Sequence, residues 1–122
     1  MKWGTTALVS AALAVCFSTV ASAQDVGGRY RVLGKNFDGS DYSGAAEITV
    51  TSNNTCRIVW VTGGTTSRGI CMRNGNAFSA AYQLGSQIGL VIYERQPDGT
   101  MEGIWTLADK TGVGRERLVP AR

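Results

Sequence analysis

Beyond its first two dozen residues the chain alternates apolar and polar side chains in short runs. This is the period-2 pattern of strands with one buried face. Tyr30 and Val32 alternate with Arg29 and Arg31, and Ala46, Ile48 and Val50 alternate with Glu47, Thr49 and Thr51. Phe78, Ala80, Tyr82 and Leu84 form a further inward set, followed by Ile88, Leu90 and Ile92 and then by Met101, Gly103, Trp105 and Leu107. Turn signals separate the runs at Asp38-Gly39, Asn53-Asn54, Gly63-Gly64, Asn74-Gly75, Gly85-Ser86, Asp98-Gly99 and a looser Asp109 to Gly114. No helical period is sustained in this region, and its prolines, Pro97 and Pro120, fall in a turn and near the end.

Seven turns between eight short strands predict an all-β, antiparallel up-and-down meander. Closure into a small lipocalin- or streptavidin-like barrel removes the exposed edges that a meander leaves; an open or two-sheet sandwich is the alternative. With Trp60, Trp105, Phe78 and Tyr82 pointing inward, side chains are expected to fill most of such a barrel. A large ligand cavity is therefore not expected. Tyr30 to Gly44 and Tyr93 to Trp105 echo each other, each running from a strand tyrosine through an Asp-Gly turn to a glycine in the next strand. These glycines, Gly44 and Gly103, are expected to mark bends or close packing opposite aromatic rings. Recurring hairpin chemistry explains the echo as well as duplication does.

The segment Thr55 to Met72 carries two cysteines fifteen positions apart, with Gly63-Gly64 midway between them. A hairpin turning at those glycines sets Thr62 against Thr65, Trp60 against Ser67, Ile58 against Gly69 and Cys56 against Cys71. Directly opposed residues have Cα atoms roughly 4.5–5.5 Å apart, within disulfide range. The cysteine face carries Ile58 and Trp60 toward the core, and the other face carries Arg57 and Arg68 toward solvent. A loop of this length closed by a disulfide contributes about 3 kcal/mol. A thioredoxin-type redox site lacks its Cys-x-x-Cys, and zinc lacks ligands in a chain without histidine.

The first residues read as an export signal. Met1-Lys2 is followed by an apolar run from Ala7 to Val20 and then by the small-x-small pattern Ala21-Ser22-Ala23. That run is short of the roughly 20 residues a spanning helix needs. A lipoprotein reading would use Cys16, which Val15 precedes where a small residue is expected. The expectation is a signal peptide over residues 1–23 and one domain over 24–122, periplasmic or secreted, with no membrane span after cleavage. Removing 23 of the 122 residues leaves 99, and the formal charge falls from +3 to +2 as Lys2 leaves. So mild a balance, with arginines interleaved among acids, argues against nucleic acid as a partner. Cys16 leaves with the signal, so the remaining even pair in an exported protein reads as a disulfide.

Candidate chemistry is sparse. The absence of histidine and of a free mature cysteine excludes Ser-His and Cys-His nucleophilic sites. Asp38/Asp41 and Asp98/Glu102 sit at predicted turns, where aspartate before glycine serves backbone conformation rather than paired-carboxylate hydrolysis. Asn36 to Asp41 lacks the ligands of a calcium loop, and Gly112 to Glu116 lacks the context of a phosphate loop. No cofactor or metal is expected. What remains is a stapled scaffold that can present Phe37, Tyr42 and Tyr93 together with Arg57 and Arg68, residue types enriched at binding hot spots.

The runs "GRYRVLGKNFDGSDYSGAAEITV", "TCRIVW", "GICMRNGNAF" and "GLVIYERQPDGTMEGIWTL", from Gly28 to about Leu107, resemble small secreted proteins of alphaproteobacterial type that carry the label fibronectin-binding protein. The resemblance implies a non-catalytic surface or secreted protein that binds a host-matrix or envelope protein. The architecture is also similar to periplasmic inhibitors of proteases and lysozymes, whose specific motifs are not matched. A periplasmic hydrolase inhibitor and a calycin-like small-ligand carrier are the alternatives.

Overall fold

The computed structural model describes Gly4 and residues 25–121, so the signal-peptide expectation for residues 1–23 lies, Gly4 apart, outside the described residues. Eight strands follow one another: β1 (Gly28–Lys35), β2 (Asp41–Val50), β3 (Thr55–Thr62), β4 (Thr65–Asn74), β5 (Ala77–Leu84), β6 (Gln87–Arg95), β7 (Met101–Leu107) and β8 (Gly114–Pro120). Each pairs antiparallel with its neighbours in sequence, and β1 pairs with β8, which closes the barrel. Closure leaves no unpaired sheet edge. The open sandwich is thereby set aside.

The β3–β4 hairpin has the expected register, with Thr62 opposite Thr65 and Cys56 opposite Cys71. Gly63 and Gly64 both have positive φ, 55° and 78°, which the tight turn requires and side chains resist. The cysteines form a disulfide across a Cα–Cα distance of 4.9 Å, and both are buried. The two Asp-Gly loops share one hydrogen-bond pattern. Asn36 and Gln96 N–H donate to Ser40 and Thr100 carbonyls, while Ser40 and Thr100 N–H donate to the Asp38 and Asp98 carboxylates. Those aspartates are turn residues, held below the usual carboxylate range by these bonds.

The interior is divided along the barrel axis. One end is packed with Val26, Val32, Ile48, Cys56, Ile58, Cys71, Phe78, Met101 and Leu118, and the Tyr30 hydroxyl donates to Val26 O at 2.6 Å. The other end holds aromatic side chains that lie against the wall. Four of them sit directly opposite a glycine on the next strand: Tyr42 on Gly34, Tyr82 on Gly89, Tyr93 on Gly103 and Trp105 on Gly114. At each glycine an added Cβ would run into the facing ring. Rings laid over inward glycines let a small sheet curl tightly, because the glycine neither fills the lumen nor blocks the ring.

Three sequence expectations need correction. Ile88, Leu90 and Ile92 were expected inward, but they point out and are 58–60% exposed, while Gly89, Val91 and Tyr93 point in. The run Ile88 to Ile92 is almost wholly apolar, so its periodicity does not specify a face. The two-residue turn Gly85-Ser86 does, by pairing Leu84 with Gln87 and hence Tyr82 with Gly89. Val50 keeps the inward phase but ends its strand beyond the packed interior and is 45% exposed. The β4–β5 turn is Gly75-Asn76, one residue later than expected, with Asn74 opposite Ala77.

The glycine–ring packing makes a specific demand on stability. Gly103→Ala would place its Cβ against the Tyr93 ring, which is buried and hydrogen-bonded, and 2.9 Å from Ile92 O. Overpacking of this kind costs about 2 kcal/mol. Gly112→Ala meets nothing closer than Phe37 at 3.5 Å and is expected to be near neutral. Urea unfolding of the two variants checks the contrast, and equal stabilities would contradict it.

Candidate functional site

On β8 the outward arginines Arg115 and Arg117 flank Glu116, so the strand's alternation sends this carboxylate into the barrel, where it is buried. Three neutral donors converge on it. Tyr42 Oη donates to Oε1 at 2.9 Å and Trp60 Nε1 donates to Oε2 at 3.1 Å. The Tyr93 hydroxyl makes a short bond to Oε2 and lies 3.3 Å from the Trp60 nitrogen. Acceptance from three donors favours the ionised, acceptor-only form. Burial nevertheless raises its pKa above the usual glutamate value, and the bonds from Tyr93, Tyr42 and Trp60 offset part of that rise. Burial and the Glu116 charge together hold the tyrosines as phenols, with Tyr82 pushed up to about 12 and Tyr42 and Tyr93 also raised.

Above this base the barrel opens as a cup of about 290 Å³, whose walls include Tyr42, Trp60, Tyr82, Val91 and Trp105. Asn36, Thr62, Thr65 and Leu84 form its neutral rim. Trp60 and Tyr82 have ring centroids 5.2 Å apart, and Tyr42 meets Trp105 edge-on at 6.1 Å. Phe37, from the β1–β2 loop, packs on Trp105 at 4.7 Å. The Tyr82 hydroxyl donates to Thr106 O at 3.3 Å. The Trp105 indole nitrogen is buried on the side of the cup wall that faces Tyr42.

A broader depression of about 860 Å³ crosses the outside of β1, β8, β7 and β6 over Leu33, Ile92 and Ile104. Its rim is made of exposed ion pairs, Lys35–Asp41 at 2.5 Å and Arg117–Glu102 at 2.6 Å, which water screens. The cup, with its buried polar base, is the candidate site although it is smaller.

The sequence-predicted residues are split by the fold. Tyr93 was expected to lie outside, but it is 4% exposed at the base of the cup, a consequence of the β6 phase corrected above. Tyr42 is half-buried and also points in, and Phe37 packs on Trp105 without lining the cup. Arg57 and Arg68 are outside, on β3 and β4, with Arg57 Nη1 donating to its neighbour's Cys56 O at 3.0 Å. They do not join the three aromatics. The expectation of a filled interior holds for the disulfide end and fails for the cup end. Glu116 was not singled out, although two flanking arginines with Leu118 next in phase carried the signal. No group of His, Cys, Asp or Glu among the described residues could hold a metal ion.

No protein-family model matches the chain, and no curated protein does. Among solved structures it is similar to a de novo designed fluorescence-activating β-barrel, with a TM-score of 0.64 and 17% identity over 84% of this chain and 99% of that one. It is also similar to a redesigned β-barrel bound to DFHBI, with a TM-score of 0.68 and 17% identity over 79% and 96% of the two chains. At this identity the likeness establishes the barrel fold.

The raised pKa of Glu116 fixes a pH trend. Between the ordinary glutamate value of 4.5 and its own higher value, the folded state binds more protons than the unfolded state. The stability contributed by this group is therefore present at low pH and lost as pH rises through that window. Thermal unfolding from pH 4 to 8 should show the Tm of the native protein falling relative to that of Glu116→Gln as pH rises. A relative Tm that climbs would contradict the assignment. Asp38 and Asp98, with lowered pKa values, are common to both proteins and cancel.

Proposed function

We propose that the protein is a non-catalytic binding barrel that takes a small, ring-containing ligand into the aromatic cup. The observation that carries this reading is a cup of about 290 Å³ walled by the rings of Tyr42, Trp60, Tyr82 and Trp105 above the buried Glu116 carboxylate. That volume is near the lower end of ligand pockets, which suits a one- or two-ring molecule. Similarity in fold to designed barrels, one of them bound to a small molecule, supports the reading at the level of architecture. Among the residues that line the cup Glu116 is the single carboxylate, which favours binding over paired-carboxylate hydrolysis. The Cys56–Cys71 disulfide supports an oxidising compartment, periplasmic or extracellular. No helix among the described residues is long and apolar enough to cross a membrane.

A second reading, capture of an extracellular protein such as fibronectin, would use the outside of the barrel. What supports it is an apolar face of Ile70, Met72, Leu90 and Ile92, each 58–59% exposed and bordered by Arg57 and Arg68. Contiguous exposed apolar surface rimmed by polar residues is a feature of protein-interaction sites.

Titration with 2-phenylethanol, followed by the fluorescence of Trp60 and Trp105, separates the two. The cup reading expects saturable one-to-one uptake that weakens by about tenfold or more in Leu84→Trp, which plugs the rim. Uptake unaffected by that plug would refute the cup. Fibronectin binding that survives Leu84→Trp and disappears in Leu90→Glu would favour the outer face.

A further inference from the structure

We infer that the cup selects an organic cation, a protonated amine carried on a single aromatic or alicyclic ring. This inference rests on the cup being a ligand site and specifies the class of ligand.

The argument starts from the unfilled valence of Glu116. A carboxylate offers about four lone-pair positions. Trp60 and Tyr93 occupy Oε2, while Oε1 accepts from Tyr42, leaving one position on the oxygen that Tyr42 shares with the cup. All three donors are neutral, so the negative charge has no counter-ion in the interior. The neighbouring cations cannot supply one. Arg115 and Arg117 leave β8 on the opposite face, and Arg117 is held by Glu102 at 2.6 Å outside the barrel. No lysine or arginine lines the cup. A buried carboxylate without a cationic partner is costly, and an entering cation relieves that cost, whereas an entering anion adds to it.

The walls act in the same direction. Trp60, Tyr82, Tyr42 and Trp105 present ring systems around the space above the carboxylate, and the faces of such rings carry negative potential that attracts cations. An ammonium group placed between these rings donates a charge-assisted hydrogen bond to Oε1. The apolar remainder of the ligand lies toward Val91 and Leu84. The neutral rim of Asn36, Thr62 and Thr65 admits such a molecule without a competing charge.

Three probes of one shape and different charge test this: 2-phenylethylammonium, 2-phenylethanol and phenylacetate, titrated calorimetrically at neutral pH into the protein. The ammonium is expected to bind about tenfold tighter than the alcohol or better, and phenylacetate more weakly than either. In Glu116→Gln the preference for the ammonium over the alcohol should disappear, and a preference that survives overturns the cation assignment. Should that variant fail to fold, the charge series on the native protein decides alone. An alcohol or carboxylate that binds as tightly as the ammonium overturns the cation assignment and leaves the cup as a ligand site. Failure of all three to bind overturns the cup reading itself.

Discussion

The structure depends on aromatic rings that lie over glycines on the inside of the barrel. Eight short strands close on themselves only if the sheet bends tightly, and bulky side chains at every inward position would prevent it. Gly34, Gly89, Gly103 and Gly114 remove four of those side chains, and Tyr42, Tyr82, Tyr93 and Trp105 cover the gaps from the opposite strand. A ring held flat against the wall does not cross the lumen. The packing that closes the barrel therefore also leaves space at one end.

That space has a chemical character because the same rings carry polar tips. Tyr42 and Tyr93 reach Glu116 by virtue of lying over their glycines, and Trp60 joins them from the hairpin that the disulfide staples. The other end holds a dry core around Phe78, Met101 and Leu118 and carries the disulfide. A packed and cross-linked end can offset the cost of a buried charge at the open end.

Much of the fold was legible in the sequence, and the reasons differ by element. The β3–β4 hairpin was readable to the residue because Gly63-Gly64 fixes the register by turn geometry alone, and the cysteines then fall opposite each other. β6 was misread because an unbroken apolar run carries no period, and the large isoleucines were assigned inward over the glycine between them. The same turn logic, applied to Gly85-Ser86, gives the correct phase and places Tyr93 inside. Glu116 escaped notice for a different reason. A single acid on an inward phase looks like a strand end in solvent, and its burial follows from donors on β2, β3 and β6 that are remote in sequence. The flanking arginines and Leu118 mark its inward phase, but the convergence of donors itself leaves no local mark.

The most direct measurement is a two-dimensional proton–nitrogen NMR titration of the protein with a small aromatic amine. The indole N–H signals of Trp60 and Trp105 report the base and wall of the cup, and backbone amides report the rest. The account predicts that both indole signals shift together and saturate at one ligand per barrel, with the amides of Cys56, Phe78 and Leu118 at the packed end unmoved. Shifts confined to Ile70, Leu90 and Ile92 on the outer face, with both indole signals stationary, would contradict it.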